Sequence, residues 1–406
     1  MNIRTITYFV DPAYPIADER LNNAGKAAAE IKATLEASGY PVQTTRLAAP
    51  PLSRTLGDDP AHCVQFAIDL ESACFVHRFD YATIGPTRPG DAPAFLEALP
   101  DVLGKTQNIF TAAIIAEPTQ GVNLPAVRRA AQVIQRASTI APDGFANLRF
   151  AALANVPSGS PFFPAAYHDG GAPTFAIGVE AAELAVSALS EASSLSDARA
   201  RLIRAVEEHT QKIAKAAKKT SGLRGVRFSG IDFSLVSYPE AARSLGTALE
   251  RLTGRPLGEA GTLAATAFIA DTLDRAKFQH TGFSGMFFPL LEDSALAARA
   301  AEGQLTLNDL LLYCSVCGAG LDTVPLPGDT SASALAAILL DVAALALRLN
   351  KPLTARLMPL PGKQAGDEAK FDFPYFAPSR VLAPRASGLG GLFAGDETFD
   401  LGPRSR

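Results

Sequence analysis

Short apolar runs alternate with longer helical patterns along most of the chain, and this alternation constrains the fold more than any other feature. The runs are continuously apolar, which is typical of strands that are buried on both faces. Because helical patterns separate most of them, the chain is predicted to have an α/β fold. Ten runs are predicted as strands: Ile3–Val10, Val42–Leu47, Tyr81–Ile84, Ile109–Ile115, Leu148–Ala154, Thr174–Val179, Val226–Ile231, Gly285–Leu290, Leu321–Val324 and Leu353–Leu360.

The helical patterns suggest one compact unit followed by a tail. No linker-like composition interrupts residues 1–360, so residues 1–380 are predicted to form a single domain. Residues 381–406, which include the glycine cluster of Ser387–Gly395, are predicted to be a Gly-rich C-terminal tail that is loosely ordered or acts as a latch. The main predicted helices are Ala17–Ser38, Leu124–Ala137, Ala181–Ser190, Ser196–Lys219 and Ser331–Leu349.

Composition argues against several classes of partner. The net charge is −4 and lysines and arginines are scattered among acids, so nucleic acid is not an expected partner. The longest apolar stretch, Ala334–Leu349, contains Asp341 and Arg348, which is typical of a core helix and not of a membrane span. No secretory signal pattern is visible, and four cysteines without framework spacing fit a reducing compartment. We therefore expect a cytoplasmic protein.

Three carboxylates follow apolar runs at similar positions. Glu180, Asp232 and Asp322 each come two residues after a glycine, near the end of a predicted strand. Ligands meet α/β proteins at the carboxyl ends of strands, so the three acids are predicted to converge on one site as general base, metal ligands or substrate anchors. The alternative is that each acid caps a helix or closes a turn.

Two cysteines form a C-x-x-C pair within the Gly- and Pro-rich stretch of residues 313–330. Cys314 and Cys317 lack the second ligand pair that zinc requires, since Cys63 and Cys74 have no partner at that spacing. The pair also ends a predicted helix, where the dipole raises a thiol pKa. We expect both to be reduced, either as buried structural thiols or with Cys317 facing a cavity as nucleophile or ligand.

Other polar residues extend the list of candidates. His168 follows Tyr167 and precedes Asp169 in an aromatic, proline-containing loop, and is the histidine that we expect to be catalytic, with His280 as second choice. Tyr167 and Ser160 are candidate donors in the same loop. A further predicted site loop contains Ser284, and the adjacent acids Glu292 and Asp293 are candidate metal ligands.

An arginine within an apolar strand needs a partner. Arg356 lies in the last predicted strand, so it is expected to meet either a buried acid or an anionic substrate. Lys363 follows in a Pro/Gly turn and is a second candidate for binding a substrate anion. The phosphate-loop, dinucleotide, nucleophile-elbow and zincin motifs do not occur in the sequence.

Eight segments together are distinctive: 42–46, 84–86, 163–167, 228–232, 282–285, 289–293, 317–329 and 350–356. They resemble the prokaryotic domain-of-unknown-function family seven-one-one. That resemblance implies a fold similar to pyruvate formate-lyase: a single ten-stranded α/β barrel with a loop inside it, here Cys314 to Asp322. It does not imply radical chemistry, because the tail Arg385–Phe393 lacks the arginine-valine-x-glycine-aromatic motif that holds the radical.

The leading hypothesis is a non-radical enzyme that acts on a small polar, carboxylate-bearing metabolite in the barrel cavity. The clustered carboxylates would supply acid/base groups or hold a divalent metal ion, and Arg356 or Lys363 would bind the substrate anion. One alternative is a non-catalytic metabolite-binding or regulatory protein that uses the same cavity. Another is a metal-dependent enzyme in which Cys317 and His168 join the carboxylates. The expected partner is a small molecule, with no membrane or nucleic acid, and self-association is left open.

Overall fold

The computed structural model describes residues 1–403, so the last three residues of the predicted tail, 404–406, lie outside the described residues. The fold is a mixed α/β arrangement around one large, mostly parallel sheet. Nine of the ten predicted strands are confirmed, with changes of a few residues at their ends. The strands within residues 1–403 are β1 (Asn2–Phe9), β2 (Val42–Ala48), β3 (Tyr81–Thr87), β4 (Ile109–Glu117), β5 (Gly121–Asn123), β6 (Phe150–Ala154), β7 (Thr174–Glu180), β8 (Arg227–Val236), β9 (Gly320–Pro327), β10 (Leu353–Leu360), β11 (Glu368–Ala369), β12 (Ser379–Arg380) and β13 (Thr398–Phe399).

Side chains cap the first turns of several helices. Ser194, Thr306 and Ser331 each accept a hydrogen bond from a backbone N–H in the first turn of the helix that follows. The helices are α1 (Asp18–Ala37), α2 (Leu52–Leu56), α3 (Cys63–Val76), α4 (Pro93–Glu97), α5 (Leu99–Lys105), α6 (Leu124–Ser138), α7 (Ala182–Ser190), α8 (Leu195–Arg224), α9 (Leu245–Thr253), α10 (Thr262–Arg275), α11 (Ser294–Ala301), α12 (Leu307–Val316) and α13 (Ala332–Arg348).

The sheet consists of parallel groups that meet at two antiparallel junctions. Its main path runs β8-β7-β1-β2-β3-β4-β6-β10-β9. Strands β1, β2, β3, β4 and β6 are parallel neighbours. Strand β7 is antiparallel to β1, and β10 is antiparallel to β6. The outer pairs β7–β8 and β9–β10 are each parallel.

The predicted strand Gly285–Leu290 is not a strand. Residues 279–291 instead form an irregular segment that makes one isolated parallel bridge to β8, at Ile231–His280, and one to β9, at Pro289–Asp322. Ser284 has φ of +42° and Pro289 has no backbone N–H, so a continuous ladder cannot run through this stretch. The segment therefore touches both outer strands of the sheet path without joining either as a regular strand.

Both faces of the sheet are buried, which explains the continuously apolar strand sequences. On β4, Ile109, Ala113 and Ile115 belong to the large core shared with the helices, whereas Phe110 and Ile114 belong to smaller clusters on the opposite face. Alternate side chains of a strand point to opposite faces. One face of the sheet therefore packs against the helices, and the other packs against a different part of the chain.

The opposite face is covered largely by the loop between β6 and β7, residues 155–173, which we call the inner loop. Its Ala165 and Ala166 pack with side chains of β1, β2, β4, β6 and β7. The Thr7 hydroxyl donates to the Pro161 carbonyl at 2.7 Å, and the His168 backbone N–H donates to the Ala49 carbonyl at 3.0 Å. The inner loop therefore lies against the inner face of the sheet.

The prediction that Cys314 to Asp322 forms the interior loop is wrong. Cys314 lies in the last turn of α12, and Asp322 lies within β9, so only Cys317 to Ala319 connect the two elements. The Leu307–Val316 run forms a helix because a Thr306–Asp309 capping box starts it and its apolar residues pack into the core. The Gly and Pro residues after it lie mostly in a buried strand, not in the loop that their density predicts.

Part of the predicted tail is ordered against the sheet. Strand β13, in the tail, pairs antiparallel with β5, and Arg128 donates to the Gly395 carbonyl at 2.8 Å. Within residues 1–403, no helix combines the length and apolar character needed to cross a membrane.

Candidate functional site

A cavity of about 490 Å³ opens on the inner face of the sheet. Strands β1, β2, β3, β4, β8, β9 and β10 contribute to its wall, together with the inner loop and residues of the segments 103–108, 140–149, 287–292 and 373–375. The polar residues that line it are Arg4, Gln43, Thr44, Arg46, Tyr81, Gln107, Asn108, Arg149, Glu292, Asp322, Arg356 and Tyr375.

A chain of ion pairs runs through one side of this cavity. Arg4 Nη1 lies 3.4 Å from Glu180 Oε2, and Arg4 Nη2 lies 2.9 Å from Glu292 Oε2. The other Glu292 oxygen, Oε1, accepts from Arg356 Nη2 at 3.1 Å. Arg356 Nε in turn donates to Asp322 Oδ1. Glu292 therefore links two arginines, and Glu180 and Asp322 lie at the two ends of one network.

Glu180 is held at the edge of this network, behind the cavity wall. It is 1% exposed and accepts from Gln43 Nε2 at 2.8 Å in addition to its contacts with Arg4 and Arg243. These partners satisfy both carboxylate oxygens, as a buried carboxylate requires. Glu180 thus orients Arg4 and does not itself line the cavity.

Arg46 differs from Arg4 and Arg356 in its partners. Its Nε donates to Thr44 Oγ1 at 2.9 Å, and its guanidinium lies over the Phe163 and Tyr81 rings at 5.2 and 5.7 Å from their centroids. Within residues 1–403, no carboxylate lies within ion-pair distance of Arg46. Its Nη1 and Nη2 groups are therefore free to bind an anion.

Opposite pKa shifts distinguish Arg46, which is half-buried, from Arg356, which is buried. Burial lowers the pKa of Arg46 to about 9, and the nearby charge of Arg4 adds to this effect. For Arg356, burial acts in the same direction, but Asp322 and Glu292 outweigh it and raise the pKa above its ordinary value. Arg46 is a partly desolvated cation whose charge no protein carboxylate neutralises at close range.

The cavity as a whole has a positive excess. Four arginines line it, against the two carboxylates of Glu292 and Asp322. The fourth arginine, Arg149, donates to the Leu103 and Ile109 carbonyls and to the Thr106 hydroxyl, and these are neutral acceptors. An enclosed site with this balance attracts anions.

Asp232 does not line the cavity but binds backbone N–H groups of a neighbouring segment. Its carboxylate accepts from the backbone N–H groups of Phe283, Ser284 and Ser234 and from the Ser234 hydroxyl. Burial raises the pKa of Asp232 to about 6, against the effect of these hydrogen bonds. Asp232 thereby fixes the irregular segment 279–291 to β8, and the predicted convergence of all three acids does not occur.

The four cysteines are free and buried. Burial raises the pKa of Cys314 to about 12 and also raises that of Cys317. Neither thiol lines the cavity, and Lys351 Nζ donates to the Cys314 carbonyl at 2.7 Å. This placement matches the structural alternative for Cys314 and Cys317 and leaves Cys317 out of contact with the cavity.

The polar residues of the inner loop are also turned away from the cavity. The Tyr167 hydroxyl donates to the Val156 carbonyl, and burial raises the pKa of Tyr167 to about 12. His168 is 4% exposed, its pKa is lowered by burial, and its Nε2 has no hydrogen-bond partner within residues 1–403. The Ser160 hydroxyl is buried in the same way. None of the three lines the cavity.

The remaining candidates are scattered. Ser284 donates to the Ile231 and Thr281 carbonyls, and Lys363 is exposed in a turn outside the cavity. Asp293 is buried and accepts from the Ser237 and Ser244 hydroxyls and from the first-turn N–H groups of α11.

The five candidate metal ligands do not form a ligand set. In the part of the chain that the structure describes, no group of three or more His, Cys, Asp or Glu side chains could hold a metal ion. Glu180, Glu292 and Asp322 are instead interleaved with arginines, and Asp232 and Asp293 accept hydrogen bonds from backbone N–H groups.

The sequence reasoning missed Arg4, Arg46 and the aromatic lining. The signal was present, because Arg4 and Arg46 lie within the predicted strands that form β1 and β2, just as Arg356 lies within β10. An arginine within a buried strand needs a partner, and the same argument applied to all three would have identified the site.

Fold and site together define an α/β protein with an arginine-rich cavity on the inner face of its sheet. The family described as Uncharacterised ACR (DUF711) matches residues 1–374, and the chain belongs to it. The chain is 34% identical to a UPF0210 protein of Pyrobaculum aerophilum over 349 residues, which are 81% of this chain and 76% of that protein. It is 33% identical to a UPF0210 protein of Pyrobaculum islandicum, over 90% of this chain and 80% of that protein. It is 30% identical to a UPF0210 protein of Acetivibrio thermocellus, over 82% and 77% of the two chains.

Proposed function

We propose that the cavity binds a small carboxylate-bearing metabolite and that Arg46 receives its carboxylate. The observation that carries this proposal is the contrast among the arginines on the strands. Arg4 and Arg356 each have carboxylate partners, whereas Arg46 projects into the same cavity without one. A desolvated cation gains stability when an anion binds, because the anion replaces the lost hydration.

The ion-pair chain supports this role by keeping the other charges in place. Glu292 neutralises part of the charge of Arg4 and Arg356, so these arginines are held rigidly beside the binding position. Because Arg4 and Arg356 are already held by Glu292, their side chains lose little freedom when an anion binds at Arg46. This favours binding of the anion at that single position.

Catalysis on the bound molecule is the second candidate function. Asp322 lines the cavity, and the following residue, Thr323, has φ of +47°, an uncommon conformation for a β-branched residue. Catalysis would use Asp322 as a general base toward the bound molecule. The binding function is favoured because Cys317, His168 and Asp232, which an enzyme was expected to use, do not line the cavity.

The experiment compares acids with their neutral amides. Isothermal titration with acetate, succinate, pyruvate and phenylacetate, and with acetamide and phenylacetamide, should show binding of one or more acids but not of the matched amides. The Arg46→Met variant should bind these acids at least about tenfold more weakly, because a charge-assisted hydrogen bond is lost.

Arg227→Met is the matched control, because Arg227 is an exposed strand arginine outside the cavity. It should bind the acids like the wild type. Equal binding of acid and amide, or full acid affinity in a folded Arg46→Met protein, would contradict the proposal. Loss of folding is not expected for Arg46→Met, because the substitution removes a desolvated charge.

We further propose that the sheet closes into a ten-stranded barrel similar to that of pyruvate formate-lyase. The support is the irregular segment 279–291, which is parallel to both β8 and β9 at its two bridges. With it as the tenth member, β7, β8, the segment, β9 and β10 would form a second parallel group of five beside β1, β2, β3, β4 and β6. Such closure would leave no open edge between β8 and β9.

A further inference from the structure

Aromatic rings form a large part of the cavity wall. Tyr81, Phe110 and Phe163 stack edge to face, with centroids 5.5 Å apart for the first pair and 5.3 Å for the second. Phe162 and Phe287 make a similar pair at 5.1 Å. All five rings line the cavity.

A second aromatic group lies around Phe373, in the segment that follows β11. Phe373 lies 5.1 Å from Phe145 and 5.2 Å from Tyr375, centroid to centroid. Tyr375 carries Arg4 over its ring at 4.6 Å. Phe145, Phe373 and Tyr375 line the same cavity as the first group.

The size of the cavity decides what this wall can bind. About 490 Å³ is within the range of sites that enclose whole metabolites, and far more than a two- or three-carbon acid fills. A short acid at Arg46 would leave the rings in contact with water. Burial of apolar surface favours a ligand that displaces this water.

From these observations we infer that the ligand is a carboxylic acid that bears an apolar group of at least phenyl size, not a short polar acid. The inference rests on the proposed function, since Arg46 is taken to hold the carboxylate. The apolar group would pack between the Tyr81–Phe110–Phe163 stack and the group around Phe373. This inference differs from the expectation of a small polar metabolite in that it adds a second, apolar part to the ligand.

The test compares acids that differ only in the apolar group. In isothermal titration, phenylacetate should bind the wild-type protein at least about thirtyfold more tightly than acetate, the range expected for burial of a phenyl-sized group. Phe373→Leu should weaken phenylacetate by about threefold to tenfold. Its effect on acetate binding should be smaller, because acetate has no ring that could pack against Phe373.

The matched control is Phe371→Leu. Phe371 is also half-buried and packs on Phe376 and Phe145, as Phe373 does, but does not line the cavity. It should bind phenylacetate like the wild type, and circular dichroism should show both variants folded. An equal loss in the two variants would assign the effect to packing and overturn the inference.

The outcomes separate this inference from the proposed function. If acetate and phenylacetate bind with equal affinity, and both are lost in Arg46→Met, the carboxylate site stands and the apolar part is wrong. If phenylacetate and phenylacetamide bind equally well, the carboxylate role of Arg46 is wrong. If none of the acids binds, both proposals are refuted.

Discussion

Replacement of Glu292 by Gln tests the ion-pair chain at its centre. Glu292 is 7% exposed, and its two oxygens accept from two different arginines, Arg4 and Arg356. A glutamine can accept from only one of them, and its amide N–H groups would face the guanidinium of the other. The variant therefore removes one negative charge and one acceptor from a buried site that already has a positive excess.

The expected loss of stability is about 3 kcal/mol. Breaking a buried ion pair costs roughly 3–5 kcal/mol, and the lower end applies because the Arg4 side chain keeps 14% of its surface exposed to the cavity. For a chain of 406 residues the unfolding entropy is about 0.85 kcal/mol/K, so the Tm should fall by about 3–4 °C.

Differential scanning calorimetry at pH 7 measures this shift. The control is Glu302→Gln, because Glu302 also pairs with an arginine, Arg299, but is half exposed on the surface of the protein. Its Tm should change by less than about 1 °C. A Tm for Glu292→Gln within 1 °C of that control would refute the reasoning, because the chain would then contribute no more than a surface ion pair.

Two further predictions concern the irregular segment 279–291. If the sheet is closed, the amides of Thr281 and Leu290, which bond to β8 and β9, should exchange hydrogen as slowly as amides within β2; exchange at the rate of exposed loops would exclude closure. For Asp232, the raised pKa of about 6 means that the folded protein binds a proton more readily than the unfolded chain, so its contribution to stability rises as the pH falls from 7 to 5. Urea unfolding should therefore show wild type gaining about 1 kcal/mol relative to Asp232→Asn over this range, and a parallel pH dependence of the two proteins would contradict the assignment.

The sequence predicts the strands better than it predicts the site. Apolar runs predict nine of the strands, because a strand that is buried on both faces has mostly apolar residues in consecutive positions. The prediction of a strand at Gly285–Leu290 is wrong because these apolar residues belong to an irregular segment. Apolar composition alone does not show whether a segment forms the regular hydrogen bonds of a sheet. The opposite error was made after Cys317, where the Gly and Pro residues predicted a loop. Gly320 and Pro325 lie in a buried strand.

The sequence by itself determined the α/β class and the need of each strand arginine for a partner. Both follow from local physics: apolar periodicity selects the element, and desolvation makes a buried charge costly wherever it lies. The tertiary structure alone decided which arginine would lack a carboxylate. The fold brings Arg4 of β1 within ion-pair distance of Glu180 and Glu292. It brings Arg356 of β10 within the same distance of Asp322 and Glu292. Arg46 of β2 instead contacts the Thr44 hydroxyl and two aromatic rings. Which side chains meet depends on strand order and on contacts between residues far apart in the chain, and local sequence patterns do not encode these.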